Sequence, residues 1–357
     1  MKILFVTHGL GPGGAERVLS QIANYFSEMN YEVSIIIFNE FEKEKSFYPL
    51  NSAIKIIKIN NYKKNIVLYS KIRSLINIVF SLKEVFQKEE PDIIISFITL
   101  TNIFSTIAAT MARKKIILSE HTNYKRNSKD ILGFFRYIIY PFANAVVVLT
   151  NHDRAEYSFV KNVYTIHNPL LLENKYLNIK REKIILGVGR LIHLKGFDLL
   201  IKAFYKLKTK DWKLVIVGEG PERNKLESLI NNLGLNEYVS LAGLTTDVEK
   251  YYKKASIFVL SSRTEGFPGA LCEAMGYGCA SIAFNCHTGP SDIINNKVNG
   301  VLVEPENEEQ LSCEIQNLID NREYRKILSS NSKKILDQLD ITKITKKWLT
   351  IIKDVKK

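Results

Sequence analysis

Cysteine is scarce in this chain of 357 residues: Cys272, Cys279, Cys286 and Cys313 are all there are. They form no Cys-x-x-Cys pair and have no histidines clustered beside them, which excludes a disulfide framework and a structural zinc site and fits a reducing, cytoplasmic setting. Long apolar runs are also missing. The opening MKILFVTHGL is too short for the core of a signal peptide. One uncharged stretch, residues 93–112, has the length of a membrane span. It carries Ser96, Thr99, Thr101, Asn102, Ser105, Thr106 and Thr110 and divides into a β-rich half and a helical half, so it reads as a buried strand and the helix after it. There is no low-complexity tract and no short internal repeat. Acidic residues are in deficit: 37 Asp and Glu against 50 Lys and Arg give a formal charge of +13. Such a balance favours polyanionic partners, whether nucleic acid, an anionic membrane surface or phosphorylated substrates.

What is present is an alternation of short apolar runs with amphipathic segments, over a length that suits two domains rather than one core. Strands are predicted at residues 2–8, 32–38, 54–59, 92–98, 115–120 and 145–149, and again at 184–188, 214–217, 239–242, 257–262 and 280–284. The fold class is α/β, with two doubly wound parallel-sheet domains. Residues 1–170 form the first and 183–341 the second. A polar stretch at 170–182 serves as linker, and a last amphipathic helix is predicted at 342–357.

The most informative stretch is RTEGFPGALCEAMGY, residues 263–277. It reads as a strand end, a glycine-proline turn and a helix opening near Gly269, with Pro268 in the first turn, where an unpaired N–H is normal. The amides of Gly266, Phe267, Gly269 and Leu271 then face an anion. Glu265 and Glu273 bracket the turn. As ionised acceptors beside an anion site they suit sugar hydroxyls; the same two residues also suit an ordinary solvated turn. Upstream, Arg190 and Lys195 in GRLIHLKG follow another strand and offer a planar fork and a point charge to a diphosphate. Gly9, Gly11 and Gly14, with Glu40 after the second strand, formally match a dinucleotide fingerprint, although Gly13 and Gly14 equally permit approach to a phosphate or sugar. His121, in SEHTN, lies at a strand end, where doubly wound sheets place ligands.

Glu265, seven residues and Glu273, between a strand and a Gly/Ala-rich helix, resemble the signature of family-4 glycosyltransferases, retaining enzymes of the GT-B fold that use nucleotide-sugar donors. GGAER, SEHTN, GRLIHLKG and TGPSDII (residues 288–294) resemble further segments of the bacterial polysaccharide-assembling branch. The resemblance implies that the two domains are Rossmann-like and face each other across a cleft, with the 342–357 helix packing back on the first, that Arg190 and Lys195 meet the diphosphate, and that Gly218 and Gly243 cradle the base. It further implies that Glu273 binds the ribose, Glu265 the transferred sugar, and Gly13 and Gly14 the donor, with His121 near the reacting carbon. No Asp-x-Asp triplet occurs in the chain, so no metal and no other cofactor is expected, and protein cations are left to stabilise the leaving group.

Residues 55–136 hold fifteen Lys and Arg against six Asp and Glu. Much of the excess alternates with aromatics: Tyr62, Lys63, Lys64, Tyr69, Lys71 and Arg73, then Tyr124, Lys125, Arg126, Lys129, Phe134, Phe135, Arg136, Tyr137 and Tyr140. That pattern suits the interfacial layer of an anionic bilayer better than nucleic acid, and equally a solvated lysine-rich face. The expectation is therefore a transferase moving a hexose or N-acetylhexosamine from a UDP-sugar to a lipid-linked glycan, for lipopolysaccharide or capsule, on the inner face of the cell membrane. A nicotinamide-dependent oxidoreductase, a glycoside hydrolase using the two glutamates and a non-catalytic nucleotide-sugar-binding module remain as alternatives.

Overall fold

The structure is a computed structural model that describes residues 1–11, 13–38, 46–59, 68–128, 130–172, 180–209, 211–245 and 247–357. It divides into two units, residues 1–169 with 341–357, and residues 170–340. Expectations placed on Glu40, Tyr62, Lys63, Lys64, Lys129 and most of the linker lie outside the described residues.

The first unit runs β1 (Lys2–Thr7), α1 (Gly14–Glu28), β2 (Glu32–Ile37), β3 (Lys55–Lys58), α2 (Leu68–Glu89), β4 (Ile93–Phe97), α3 (Thr99–Ala112) and β5 (Ile116–Ser119). It continues with α4 (Ile131–Ile139), β6 (Ala145–Val148), α5 (Asn151–Glu156) and β7 (Val163–Thr165). All strands are parallel, in the order β3-β2-β1-β4-β5-β6-β7. Runs such as ILFV and IIIS are continuous rather than alternating because a parallel strand here has helices on both faces. Ile3, Phe5, Ile93 and Ile95 join one apolar cluster, Leu4, Val6 and Ile94 another. The uncharged stretch is indeed β4 followed by α3, and no helix among the described residues is long and apolar enough to cross a membrane. The chain's last helix, Ile341–Lys356, contributes Ile344, Trp348, Ile351 and Ile352 to the first of these clusters. Lys115 Nζ donates to its final carbonyls at Val355 and Lys356 (2.6 and 2.8 Å), where the helix dipole is negative.

The second unit runs β8 (Glu182–Val188), α6 (Phe197–Tyr205), β9 (Lys213–Val217), α7 (Arg223–Asn232), β10 (Val239–Gly243), α8 (Glu249–Lys254), β11 (Ala255–Leu260) and α9 (Gly269–Gly276). Then come β12 (Ala280–Phe284), α10 (Pro290–Ile293), β13 (Val301–Val303), α11 (Glu308–Asp320), α12 (Arg322–Ser332) and α13 (Ile335–Gln338). Its sheet is parallel in the order β10-β9-β8-β11-β12-β13. β11 ends two residues earlier than the sequence predicts, which leaves Ser261 and Ser262 in the turn. The four cysteines are free thiols. Burial pushes Cys279 and Cys286 up to about 11, so both act as small apolar side chains.

The basic-aromatic stripe needs correction around α4. Arg136 and Tyr140, expected on a membrane-facing surface, are fully buried. The Arg136 guanidinium lies 4.0 Å from the Tyr124 ring centroid and donates to the Tyr124 carbonyl at 3.0 Å. A pattern of spacing cannot distinguish an arginine on the wet side of a helix from one whose planar group stacks inside. The opposite face of α4 is unusually apolar and open: Ile131, Phe134, Phe135, Tyr137 and Ile138, with Phe142 just beyond, are all exposed.

Candidate active site

A ligand crevice in a doubly wound sheet sits beyond the carboxyl ends of the strands, where the strand order reverses. In the second unit that point lies between β8 and β11, since the chain goes from β8 outward to β9 and β10 and returns to β11 on the other side. The turn after β8 carries Arg190 and Lys195; the turn after β11 carries Glu265 and leads into α9. The two turns are stitched together. Ser261 Oγ donates to the Lys195 carbonyl (3.0 Å) and Arg263 N–H to the Leu194 carbonyl (2.9 Å). Gly196, at φ 62°, lies so close to this seam that a Cβ would stand 2.0 Å from the Ser261 oxygen. Any side chain there would part the turns.

Lys195 Nζ is 2.6 Å from Glu265 Oε1, and Ser262 Oγ donates to the same oxygen at 2.6 Å. The carboxylate side chain is 9% exposed and the ammonium 26%. This is therefore a charge-assisted bond at the edge of solvent, within a ligand's reach. Thr288 Oγ1 holds the Glu265 carbonyl at 2.5 Å, and Gly289 packs on Gly266 and Pro268. The TGPSDII string thus braces the glutamate turn. The sequence marks the string but not this role, and Ser262 and Thr288 were missed as supports because hydroxyls at strand ends carry no periodic signal.

Arg190 is exposed, and among the described residues its guanidinium has no hydrogen-bond or ion-pair partner. Arg263 is its opposite. It makes a two-pronged pair with Asp198 (2.9 and 2.7 Å) and another with Glu306 (2.8 Å). Burial alone would raise the Asp198 carboxyl, but the Arg263 fork outweighs it and holds the group below its ordinary 3.8. Of the two arginines, Arg190 is the one whose charge remains uncommitted.

Two details of the helix opening differ from the sequence reading. Pro268 is the N-cap of α9 rather than its first residue, and it offers no side-chain cap. The Leu271 N–H is taken by the Pro268 carbonyl at 3.1 Å, which removes it from the anion donors. Among the described residues nothing takes the N–H of Gly269 or Ala270, so the free first-turn donors sit there. Glu273 is 8% exposed one turn further in. Phe267 is buried beneath the turn. Gly218, at φ 146°, would place a Cβ 1.8 Å from the Gly189 oxygen, and its N–H donates to Gly243 at 2.9 Å. The ends of β8, β9 and β10 therefore converge through backbone alone.

In the first unit the order reverses between β1 and β4. Gly13 is the N-cap of α1, and Gly14 has open space where a side chain would be, while the Gly13 side-chain space is filled by Glu16. His121, just past β5, stacks on Phe97 (centroids 5.0 Å apart) and its Nε2 lies 3.0 Å from Ser119 Oγ. Burial pushes the imidazole down to about 4, so it is neutral through the physiological range.

Residues 172–335 match the model described as glycosyl transferases group 1, and residues 12–183 that described as glycosyltransferase family 4. A Campylobacter jejuni protein is 32% identical over 363 residues, with 100% of this chain and 99% of the relative covered. The chain belongs to glycosyltransferase family 4. That relative is named as an α-1,4-N-acetyl-D-galactosaminyltransferase acting on a diphospho-undecaprenol glycan. The amylovoran biosynthesis glycosyltransferase AmsD of Erwinia amylovora is 27% identical, covering 98% of this chain and 99% of its own. Among solved structures, Anabaena HepE in complex with UDP superposes with a TM-score of 0.79 at 18% identity, over 99% of this chain and all of that one. A Staphylococcus aureus TarM mutant in complex with UDP, fondaparinux and α-GlcNAc-glycerol gives 0.80 at 18%, again over 99% and 100%. The family-4 transferase described here accordingly has the GT-B pair of parallel-sheet α/β domains.

Proposed function

We propose that this transferase moves a hexose or N-acetylhexosamine, with retention, from a UDP-sugar to a lipid-linked glycan in the assembly of a bacterial surface polysaccharide. The observation that carries the reading is the Lys195–Glu265 pair at the β8/β11 reversal, with the uncommitted Arg190 and the free amides of Gly269 and Ala270. A diphosphate arriving there offers Lys195 a better anion than Glu265. Release of the lysine frees a carboxylate oxygen to accept from a sugar hydroxyl, which an ionised acid does well. As the bond from the anomeric carbon to the diphosphate oxygen breaks, negative charge grows on the phosphate, and Arg190, Lys195 and the helix amides stabilise it. The acceptor hydroxyl then bonds to the anomeric carbon on the same face and gives its proton to the departing phosphate. Glu273 holds the ribose hydroxyls, Gly218 and Gly243 border the base, Gly14 lets the donor approach, and the neutral His121 lies by the reacting carbon. With no Asp-x-Asp triplet in the chain, these cations replace a metal.

UDP-linked donors are favoured because HepE and TarM were crystallised with UDP. A lipid-linked acceptor is favoured because the Campylobacter relative is named for a diphospho-undecaprenol substrate. The exposed face of α4, with Phe134 61% and Ile131 70% exposed, suits the acyl boundary of an anionic leaflet and would bring the enzyme to such an acceptor. The test is a screen of UDP-sugars for slow release of UDP without acceptor, followed by transfer to diphospho-polyprenol glycans in vesicles. Release from one UDP-sugar and transfer to a lipid-linked glycan support the reading. NADH binding in place of UDP binding would overturn it in favour of an oxidoreductase.

A further inference from the structure

Directly before His121 stands a carboxylate that the transfer reaction does not use. Glu120 is 2% exposed and stands one residue past β5, between Ser119 and His121, whose side chains meet. Four donors converge on it. Asn102 Nδ2 (2.9 Å) and the Tyr140 hydroxyl bond to Oε1, and Thr99 Oγ1 (3.0 Å) and Thr122 Oγ1 (3.4 Å) bond to Oε2. The donors come from α3, from the turn after α4 and from the His121 turn itself, so one carboxylate ties three segments together.

Two features mark how closely the surroundings of Glu120 are set. Asn102 Oδ1 is buried, and among the described residues no donor reaches it. Turning the amide over would set that oxygen against Glu120 and against the Ser119 carbonyl, to which Nδ2 also donates at 3.2 Å, so the present orientation is kept although it orphans an acceptor. Ile98, between β4 and α3, has φ 73° and ψ 138°, a conformation that a β-branched residue avoids. It is held by its own N–H on the Ser119 carbonyl (3.1 Å) and, one residue on, by the Thr99 bond to Glu120. Burial pushes the Glu120 carboxyl above its ordinary range, and the Tyr140 and Asn102 bonds, the positive charge of the buried Arg136 and the Thr99 bond only partly oppose it. A buried acid with a full set of donors rigidifies what it binds.

We infer that Glu120 is the positioning residue of the His121 turn, fixing the backbone on which the imidazole stands so that His121 meets the donor sugar in one orientation. This rests on the role given to His121 above. Its test replaces Glu120 by Gln, which keeps the shape but sets an amide against Asn102, and compares wild type, Glu120→Gln, His121→Ala and the double variant. If Glu120 positions His121, Glu120→Gln lowers kcat about tenfold or more and leaves the donor KM within about twofold. The His121 titration, followed by NMR of labelled histidine, moves from about 4 toward the ordinary value, and the double variant is no slower than His121→Ala. An unchanged titration in folded Glu120→Gln overturns the inference, as do losses that multiply in the double variant. Tyr140→Phe, which removes one donor and keeps the ring, gives the same directions at smaller size and decides the matter if Glu120→Gln fails to fold. Wild-type turnover in His121→Ala would instead remove His121 from the reaction, while the titration still judges the hold of Glu120.

Discussion

The two sheets end in turns that are held by opposite means. In the second unit, the turns after β8 and β11 are joined by backbone bonds and by Lys195–Glu265, a pair at the edge of solvent. In the first, the turns after β4 and β5 are joined by Glu120, sealed from solvent and met by neutral donors only. An ion pair with one partner in water can be re-partnered by an incoming anion, because its Coulomb energy is modest and the lysine is rehydrated as it leaves. A buried carboxyl cannot be, since breaking its bonds leaves buried polar groups without partners. The first arrangement suits a site that changes partners during a reaction, and the second a site that must stay where it is.

The largest expected effect comes from dismantling the exchangeable side. Lys195→Ala or Glu265→Ala should cost about 100-fold or more in turnover, with unfolding temperature nearly unchanged; wild-type turnover in either would break the comparison. Arg190→Ala comes next. Because this arginine has no partner among the described residues, its loss should weaken UDP binding at least about tenfold and leave stability alone. Replacing Phe134 and Phe135 by Ser should then reduce co-sedimentation with anionic vesicles by about tenfold while soluble UDP-sugar hydrolysis persists; equal sedimentation would return α4 to the status of an unexplained apolar face.

The smallest effect concerns Asp198, which serves structure only. Its folded carboxyl lies below 3.8, so its pairing with Arg263 stabilises the fold above that pH and is lost as pH falls through the lower folded value. Asp198→Asn should accordingly unfold a few degrees earlier than wild type at pH 7. The gap should narrow only below about pH 3.8, in a series of thermal melts.

Much of the second unit's candidate site was legible because its groups are charges and glycines beside strand ends, where doubly wound sheets place ligands. Arg190, Lys195, Glu265 and Gly218 needed only the strand boundaries. The supports were not legible. Ser262 and Thr288 act through single hydroxyls, and Arg263 looks as available as Arg190 until Asp198 and Glu306 are seen beside it. Pro268 fell one position from its expected place, and Leu271, whose N–H bonds to the Pro268 carbonyl, drops out of the expected free amides while Gly269 stays and Ala270 joins it. In the first unit β1, β2, β4, β5, β6 and α3 followed from continuous apolar runs. Glu120, Arg136 and Tyr140 did not, because charged and hydroxylated residues are assigned to the surface by any pattern rule, and only three-dimensional packing shows them inside.

The central claim is that the turns after β8 and β11 bind the diphosphate of the donor. Calorimetric titration of UDP and of uridine into wild type, Arg190→Ala and Lys195→Ala tests it most directly. Each substitution should weaken UDP at least about tenfold and leave the weak binding of uridine as it was; equal UDP affinity in all three proteins would take the diphosphate out of these turns.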